Sequence, residues 1–371
     1  MTLSGDAPKR IRFGAVFSCA ILLAMEQTAL YRKYRPVAWE EVRGQDRIVA
    51  ALRGAIDAGN VSHAYLFSGS RGTGKTTIAR IFAKSLRVDA ADVYEMDAAS
   101  NRRIDDVREL REAVRTLPLR SRFKVYIIDE VHMLTKEAFN ALLKTLEEPP
   151  AHVIFILATT EPEKLPDTIV SRCQHFSFTK PDARTLADIV IDVAAKEKIG
   201  IDPAAASLIA LLGRGSFRDT LGLLQRVMTY AGEKGKVMKE TAEKALSVPP
   251  SSLAGDILAA IAENDAEKAL RAVSSAAASG GDIAVFADIL LRMARAVLIL
   301  RFAPSLRGEV EKEMSAEETE FLASLAKSAK RVNSDVVRTL LRARADIAHA
   351  HIPELPLEVA IVSLTERESG K

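Results

Sequence analysis

Between residues 64 and 178, short apolar runs alternate with stretches in which apolar residues recur every three or four positions. The short runs are typical of buried strands, and the longer stretches are typical of amphipathic helices. Helices are predicted between the strands, for example at Arg103–Thr116 and Lys136–Leu146. The predicted strands are Ala64–Phe67, Val93–Asp97, Lys124–Asp129, Val153–Ala158 and His175–Phe178. This alternation predicts an α/β fold, a parallel sheet with helices on both faces.

From about residue 180 onward the pattern is helical only. We predict helices at Arg184–Lys198, Pro203–Leu212 and Phe217–Ala231, and a linker at Val248–Ser252, which holds two prolines and two serines. Residues 253–366 are again helical and rich in Ala and Leu. The predicted organisation is an N-terminal extension (1–24), an α/β domain (25–179), a small helical domain (180–247) and a C-terminal helical domain (251–368).

Composition narrows the function classes only slightly. The chain has 371 residues, 48% of them hydrophobic and 27% charged, with a net charge of +3. A charge so close to zero gives no argument for bulk attraction to nucleic acid, so any such contact depends on local Lys and Arg placement. The two cysteines, Cys19 and Cys173, fit a reducing compartment and exclude a disulfide framework.

Residues 69–76 read Gly-Ser-Arg-Gly-Thr-Gly-Lys-Thr and match the phosphate-loop pattern G-x-x-x-x-G-K-[ST]. The run stands between a predicted strand and a helical stretch, which is the context that this motif requires. Backbone N–H groups of such a loop surround phosphate oxygens, and the helix N-terminus adds partial positive charge. Lys75 is expected to reach the β- and γ-phosphates, and the Thr76 hydroxyl to ligate Mg²⁺. The expected contacts with a nucleoside triphosphate are Gly69, Ser70, Arg71, Gly72, Thr73, Gly74, Lys75, Thr76 and Thr77.

The N-terminus superficially resembles a signal peptide, because Lys9, Arg10 and Arg12 precede the apolar run 13–25. That run is too short to span a membrane, and a phosphate-loop protein needs cytosolic nucleotide. We therefore predict a cytoplasmic protein without membrane contact. The favoured interpretation is a translation start placed upstream of the true one, near Met25; the alternative is a functional leader.

Asp129 and Glu130 follow four apolar residues at the predicted carboxyl end of a strand. Ligands of parallel sheets bind at this edge, so we expect Asp129 to hold Mg²⁺ beside Thr76, through the water shell of the ion. Glu130 is expected to polarise an attacking water as general base. An acidic pair is common in loops, but an acidic pair downstream of a phosphate loop is a strong signal of a nucleotide site.

Three further positions carry weaker signals. Thr160, with Thr159, ends the next strand, where a hydroxyl can orient the attacking water. The alternative is that these two residues only end the strand, because threonine is favoured in strands, and have no role in the site. Arg172 can act as an arginine finger supplied in trans, or it is a surface arginine. Arg218 lies in the first turn of a predicted helix, where a cation opposes the helix dipole and so suggests a bound phosphate.

The histidines are interpreted as structural residues, or as residues that support the site from behind, rather than as ligands. His132 and His63 flank the motifs without a ligand pattern of their own. His349 and His351 stand near Asp346, but no cysteine or further acid is close, so a solvated helix end is favoured over a zinc site.

Residues 26–366 resemble the gamma/tau subunit of the bacterial DNA polymerase III clamp loader, an AAA+ ATPase family. The most specific runs are Asp97–Ser100, Asp129–Leu134 and Asn140–Pro150. The resemblance implies an AAA+ nucleotide-binding domain, a helical lid and a helical collar for oligomerisation. It also implies ATP contacts in the opening box Leu30–Pro36, which lies over the adenine, and in a V-x-G-Q segment in which Arg43 is an unusual residue; these contacts are Tyr31, Arg35, Pro36, Val42 and Gln45.

The same resemblance assigns catalytic roles by position. Thr160 corresponds to the first sensor and Arg218, within Gly215–Asp219, to the second sensor. Arg172, within Ser171–Cys173, corresponds to the finger that acts on the adjacent subunit. With Lys75 and Glu130, these residues form the expected catalytic set, and the expected cofactors are ATP and Mg²⁺.

Two departures from the family pattern stand out. Members usually carry a four-cysteine zinc module after the phosphate-loop helix, whereas here Lys84–Asp89 runs almost directly into the second strand. We therefore predict no zinc and no zinc ligands. The sequence ends at Lys371, before the extension through which the tau form contacts helicase and polymerase, so a gamma-like form is expected.

The resemblance implies an ATPase that works in a DNA polymerase holoenzyme without a polymerase active site of its own. Its expected partners are other loader subunits in a hetero-pentamer that includes copies of itself, a sliding clamp, and primer–template DNA bound without sequence preference. The candidates for DNA contact are Ser100, Asn101, Arg102 and Arg103. An interpretation of these residues as a solvated helix cap is equally well supported. Two other functions stay open: a non-hydrolysing structural subunit of the loader, and a different AAA+ DNA-processing motor.

Overall fold

The structure is a computed structural model, and it describes residues 29–100, 110, 112–232 and 236–366. The predicted extension 1–24 lies outside these residues, as do Asn101, Arg102 and Arg103. Most of the predicted helix Arg103–Thr116 also lies outside them, although residues 112–115 are helical.

The described residues form one five-stranded sheet in which every strand pair is parallel. The strands are β1 Ala64–Ser68, β2 Val93–Asp97, β3 Lys124–Asp129, β4 Val153–Thr159 and β5 Gln174–Ser177, in the order β2-β3-β4-β1-β5. Each predicted strand is present, with ends shifted by at most one residue. The central strands β1 and β4 are buried along their whole length, because helices cover both faces of a parallel sheet.

Alternate residues of each strand enter two separate apolar cores. On one face, Phe67 and Ile127 pack with Phe82 of the helix that follows the phosphate loop. On the other face, Leu66 and Phe155 pack in the core that also contains Leu142. This period-two division is what a sheet sandwiched between helices requires.

The helices predicted at Lys136–Leu146, Arg184–Lys198, Pro203–Leu212 and Phe217–Ala231 are present, with ends shifted by at most two residues. In chain order the α-helices of the described residues are α1 Leu30–Lys33, α2 Asp46–Asp57, α3 Lys75–Ser85, α4 Lys136–Glu147, α5 Asp167–Val170, α6 Ala183–Lys196, α7 Pro203–Leu212, α8 Phe217–Ala231, α9 Lys239–Leu246, α10 Ser251–Glu263, α11 Ala266–Ala278, α12 Ile283–Phe302, α13 Arg307–Glu313, α14 Ala316–Ser328, α15 Ser334–Ile347 and α16 Leu355–Glu366. Side-chain caps define several of the starts. The Ser216 hydroxyl accepts the N–H of Asp219 at the start of α8, and Asp182 accepts that of Thr185 at the start of α6.

The linker predicted at Val248–Ser252 is too long. Helix α10 already begins at Ser251, and Val248 is only 7% exposed. Its prolines fit this shorter connection because Pro250 stands directly before the helix, where a missing N–H costs no helical hydrogen bond.

Helices α6–α9 and the C-terminal helices share one continuous apolar core. Leu208 and Leu224 of the former belong to the same buried cluster as Ile257 and Leu290 of the latter. An ion pair between Lys239 and Glu318 also connects the two groups of helices. The predicted domain boundaries remain a prediction, but the packing between these two groups is close.

Within the described residues, no single helix combines the length and the apolar composition needed to cross a bilayer. Helices α9 and α10 reach that length and apolar composition only when they are taken together, and the two helices are bent by 100° at the break between them.

Candidate nucleotide-binding site

The phosphate loop connects β1 to α3 and lies against the start of helix α8. Gly74 precedes the helix with φ of 101°, and Gly69 has φ of 141°, both values that favour glycine. A Cβ atom on Gly69 would lie 2.6 Å from the carbonyl oxygen of Phe178. The backbone carbonyl of Gly72 accepts the N–H of Phe217 at 3.0 Å, so the loop contacts the start of α8 directly.

Lys75 is buried inside this loop, at 5% exposure. Its Nζ donates to the carbonyl oxygens of Gly69 at 2.7 Å and Ser70 at 3.0 Å. Burial lowers the pKa of Lys75, and the carboxylates of Glu130 and Asp129 oppose that shift. The ammonium group is therefore held at the loop by geometry and faces two acids.

The two residues predicted to ligate magnesium are in contact. The Thr76 hydroxyl donates to Asp129 Oδ2 at 2.7 Å. A hydroxyl and a carboxylate are the hard oxygen ligands that Mg²⁺ prefers, usually with water completing its shell. The residues present therefore fit the cation that the phosphate loop implies.

Glu130 stands at the end of β3 in a left-handed backbone conformation, with φ of 48°. Such a conformation is costly for a side chain other than glycine and is typical of functional sites. Its Oε2 accepts a hydrogen bond from the Thr160 hydroxyl at 2.9 Å. Parallel pairing of β3 with β4 places the ends of the two strands side by side, which brings Glu130 and Thr160 together.

A cavity of about 500 Å³ opens between the sheet and helices α6 and α8. Fifteen of the predicted site residues line it: Tyr31, Arg35, Pro36, Val42, Gln45, Arg71, Gly72, Thr73, Gly74, Lys75, Thr76, Thr77, Asp129, Glu130 and Arg218. Four of them do not: Gly69, Ser70, Thr160 and Arg172. The first two accept the Lys75 hydrogen bonds below the cavity, and Thr160 reaches it through Glu130.

The opening box packs on α8. Leu30 N–H donates to Gln225 Oε1 at 3.1 Å, and the Tyr31 ring lies 5.6 Å from the guanidinium carbon of Arg218. The Tyr34 hydroxyl donates to Glu197 Oε1 at 2.7 Å, next to the end of α6. Residues 30–34, which we predicted as part of the α/β domain, thus pack with the helices that cover the cavity.

The V-x-G-Q segment bridges the loop and the helical region. Gln45 is 4% exposed, and its side-chain amide donates to the carbonyl of Thr179 at 2.8 Å and to that of Thr73 at 3.4 Å. Arg43 pairs with Asp192 of α6 at 2.6 Å. The segment therefore connects the phosphate loop to the chain that enters α6.

Apolar residues of the cavity wall were not identified from the sequence. Ile189 and Val193 of α6 and Phe217 and Leu221 of α8 all line the cavity. Their spacing of four residues marks a buried helix face. No sequence signal separates a face that covers a ligand from one that joins a core.

Arg172 lies outside the cavity of its own chain. Its guanidinium pairs with Glu147 at 2.8 Å and donates to the carbonyl of Thr168 at 2.8 Å. The remaining predicted residues lie apart as well. His349 and His351 are exposed, as is Ser100. No group of three or more metal-ligating side chains occurs in the described part of the chain.

The phosphate loop at the end of β1, the acidic pair at the end of β3 and the helical cover define a P-loop nucleotide-binding domain of the AAA+ class. Solved structures of the Thermotoga maritima RuvB Holliday junction branch migration motor support this fold. One matches with a TM-score of 0.50 at 25% identity, over 62% of this chain and 80% of that chain. A single-residue variant of the same motor matches with the same score, identity and coverage. The AAA+ fold class predicted from the sequence is confirmed.

Family models match two parts of the chain. The model of the DNA polymerase III delta subunit matches residues 88–182, and that of DNA polymerase III subunits gamma and tau domain III matches residues 237–370. The chain is 35% identical to DNA polymerase III subunit tau of Bacillus subtilis, over 92% of this chain and 64% of the relative. It is 38% identical to subunit gamma/tau of Mycobacterium tuberculosis, over 91% and 62%.

A third relative matches almost end to end. DNA polymerase III subunit gamma of Buchnera aphidicola is 32% identical over 91% of this chain and 98% of its own length. The chain belongs to the DNA polymerase III gamma/tau family, which confirms the resemblance found in the sequence. It spans 62–64% of the length of the longer Bacillus and Mycobacterium relatives.

Proposed function

We propose that this chain is an ATP-driven motor subunit of a DNA polymerase III clamp loader. It binds Mg·ATP in the cavity between the sheet and α6 and α8, and hydrolyses it to open a sliding clamp and load it on primed DNA. The observation that carries the proposal is the convergence of phosphate loop, acidic pair, opening box and Arg218 on one cavity. A non-hydrolysing scaffold has no need for Glu130 and Thr160 in hydrogen-bond contact.

Each part of the cavity has a separate task in this proposal. The loop amides and Lys75 hold the phosphates, and Thr76 with Asp129 would hold Mg²⁺, which neutralises charge on the β- and γ-phosphate oxygens. Glu130 polarises the attacking water, oriented by Thr160. Arg218, in the first turn of α8, lines the cavity together with the phosphate loop and would bind the phosphates from the helical cover.

The finger acts between subunits. The Arg172 side chain is 35% exposed and pairs with Glu147, a partner that a γ-phosphate of the adjacent protomer would replace. Trans contacts that exist with ATP and vanish with ADP provide a switch between two assembly states. The partners are then other loader subunits in a hetero-pentamer, with the C-terminal helices as its collar, the clamp, and DNA held by its phosphates. The setting is cytoplasmic, and no zinc is required.

The alternative function is that of a different AAA+ DNA-processing motor. The likeness to RuvB, which covers 62% of the chain, supports this alternative. The match of residues 237–370 to gamma and tau domain III favours the clamp loader. The test is a loading assay with the assembled complex, labelled clamp and primed circular DNA. Wild-type chain is expected to load the clamp in an ATP-dependent manner, whereas Glu130→Gln is expected to bind ATP without turnover. ATP-independent loading, or full turnover by Glu130→Gln, would contradict the proposal.

A further inference from the structure

The His132 side chain lies between the ends of β3 and β4 and is only 7% exposed. Its Nδ1 is 3.0 Å from the Thr159 hydroxyl, and its Nε2 is 3.1 Å from Glu161 Oε2. The proposed hydrolysis gives this ring no task of its own. The ring nevertheless makes two polar contacts at the edge of the sheet where Glu130 stands.

The partners fix which ring nitrogen carries the hydrogen. Thr159 Oγ1 already accepts the backbone N–H of Glu161 at 3.0 Å, so its own hydrogen can be donated to Nδ1. The Glu161 carboxylate, which also pairs with Lys164 at 2.8 Å, accepts only, so Nε2 is the donor there. This arrangement places a hydrogen on Nε2 and lets Nδ1 accept the Thr159 hydroxyl. Its Nδ1 lies 3.6 Å from Glu130 Oε2, beyond hydrogen-bond distance.

These contacts hold the residues on both sides of Thr160. His132 binds the side chains of Thr159 and Glu161, and the backbone between them presents the Thr160 hydroxyl to Glu130 at 2.9 Å. The left-handed backbone of Glu130 lies outside regular structure, so its carboxylate direction depends on such neighbours.

We propose that His132 is a positioning residue for ATP hydrolysis: through Thr159 it fixes Thr160, and Thr160 directs the Glu130 carboxylate. The inference rests on the proposed function. His132 touches none of the reacting atoms, so its loss should lower kcat and leave nucleotide affinity unchanged. A displacement of about 1 Å at a catalytic group is enough to cost two orders of magnitude in rate.

Two conservative variants separate positioning from space filling. In His132→Asn, the amide oxygen can take the place of Nδ1 and accept the Thr159 hydroxyl. In His132→Gln, the longer side chain reaches towards Glu161 instead and is closer to histidine in volume. A positioning role through Thr159 predicts that Asn restores turnover better than Gln, whereas simple packing predicts the opposite order.

The experiment measures ATP turnover of the assembled loader and ATP affinity of the full chain. His132→Ala is expected to lower kcat at least tenfold, while its ATP affinity stays within twofold of wild type. His132→Asn is expected to restore kcat to within threefold of the wild-type value. His152→Asn serves as the control, since that ring contacts carbonyls at the opposite end of the sheet. Equal kcat in Ala, Asn and wild type, or better recovery with Gln, would overturn the proposal.

A second readout does not depend on activity or on the folding of a variant. Nitrogen-15 NMR of the histidine ring in the wild-type full chain is expected to show Nε2–H and an unprotonated, hydrogen-bonded Nδ1 for His132. An Nδ1–H tautomer would overturn the assignment. If Glu130→Gln kept full ATP turnover, the proposed function and this inference would both fail. If Glu130→Gln lost turnover as expected but the His132 variants kept the wild-type kcat, only this inference would fail.

Discussion

Arg43 Nη2 and Asp192 Oδ2 lie 2.6 Å apart and join the V-x-G-Q segment to helix α6 at the rim of the cavity. Both side chains are about half exposed, at 49% and 46%. The pair connects the segment that contacts the phosphate loop to the helices that cover the loop. A movement of α6 away from the cavity would separate the two charges.

Breaking this pair should speed nucleotide release. An exposed ion pair contributes only about 0.2–1 kcal/mol, so Arg43→Ala or Asp192→Ala is expected to raise the dissociation rate of a fluorescent ATP analogue by roughly 1.5- to 5-fold. The effect should shrink at high salt. Stopped-flow displacement measures the rate, and the charge-exchanged double variant Arg43→Asp, Asp192→Arg should return it towards wild type. Single variants with unchanged rates at low salt would show that the pair does not restrain α6.

Asp92 should be important for stability. Its fully buried carboxylate accepts the backbone N–H groups of Leu119, Arg120 and Ser121 at 2.6, 2.9 and 2.9 Å. Burial acts to raise the pKa of Asp92, but the hydrogen bonds outweigh it and the pKa lies below its ordinary value of 3.8. Asp92→Ala leaves three N–H groups without their acceptor, and a loss of about 2–4 kcal/mol in unfolding free energy is expected.

The sign of the pH dependence follows from the lowered pKa. Stabilisation by Asp92 is complete above the ordinary value of 3.8 and is lost as the pH falls through the lower, folded-state pKa. Urea unfolding between pH 3 and pH 7 checks both points. Asp89→Ala, an exposed acid three residues earlier that caps one turn, is the control and should cost about 1 kcal/mol or less. Equal losses in both variants would contradict the role given to Asp92.

Cys173 should react slowly with thiol reagents. Burial raises the pKa of its thiol to about 11. Because the thiolate is the reactive form, labelling should rise about tenfold per pH unit between pH 7 and pH 10. An ordinary thiol, with a pKa of about 8.5, would level off above pH 9. The measurement uses Cys19→Ser protein, so that Cys173 is the single cysteine of the chain. A plateau below pH 9 would show that the thiol is not desolvated.

Arg172→Ala should leave ATP binding to the isolated chain intact and reduce turnover of the assembled loader by about 10³-fold or more, as expected for a lost arginine finger. Glu147→Ala, which removes the partner of Arg172 within its own chain, is the matched control and should retain turnover. The assay measures ATP hydrolysis with clamp and primed DNA present. Unchanged turnover in Arg172→Ala would refute the trans assignment.

The sequence predicted the sheet well because the central strands β1, β3 and β4 are apolar runs, each followed by motif residues. Val93–Asp97 and Lys124–Asp129 have the predicted bounds, and the phosphate loop and Asp129 meet as expected. The strand bounds are local, so a run of neighbouring residues is enough to specify them. The contact of Thr76 with Asp129 joins residues 53 positions apart, but it follows from the rule that ligands of parallel sheets bind at the carboxyl ends of the strands.

Contacts between distant segments were less predictable. The packing of residues 30–34 on α8 joins parts of the chain 195 positions apart, as in the bond from Leu30 to Gln225. The apolar wall formed by Ile189 and Leu221 follows the same periodicity as an ordinary core. The linker at Val248–Ser252 was predicted too long because its composition resembles an exposed connection, whereas Val248 is buried by helices from elsewhere in the chain.

The most direct test of the central claim is a calorimetric titration of the full chain with Mg·ATP. Wild-type protein and Lys144→Ala, an exposed lysine on α4, are expected to bind one nucleotide per chain with the same affinity. Lys75→Ala is expected to show no measurable binding, because the buried ammonium that faces the phosphates is gone. Undiminished affinity in Lys75→Ala, or no binding by wild type, would contradict the account.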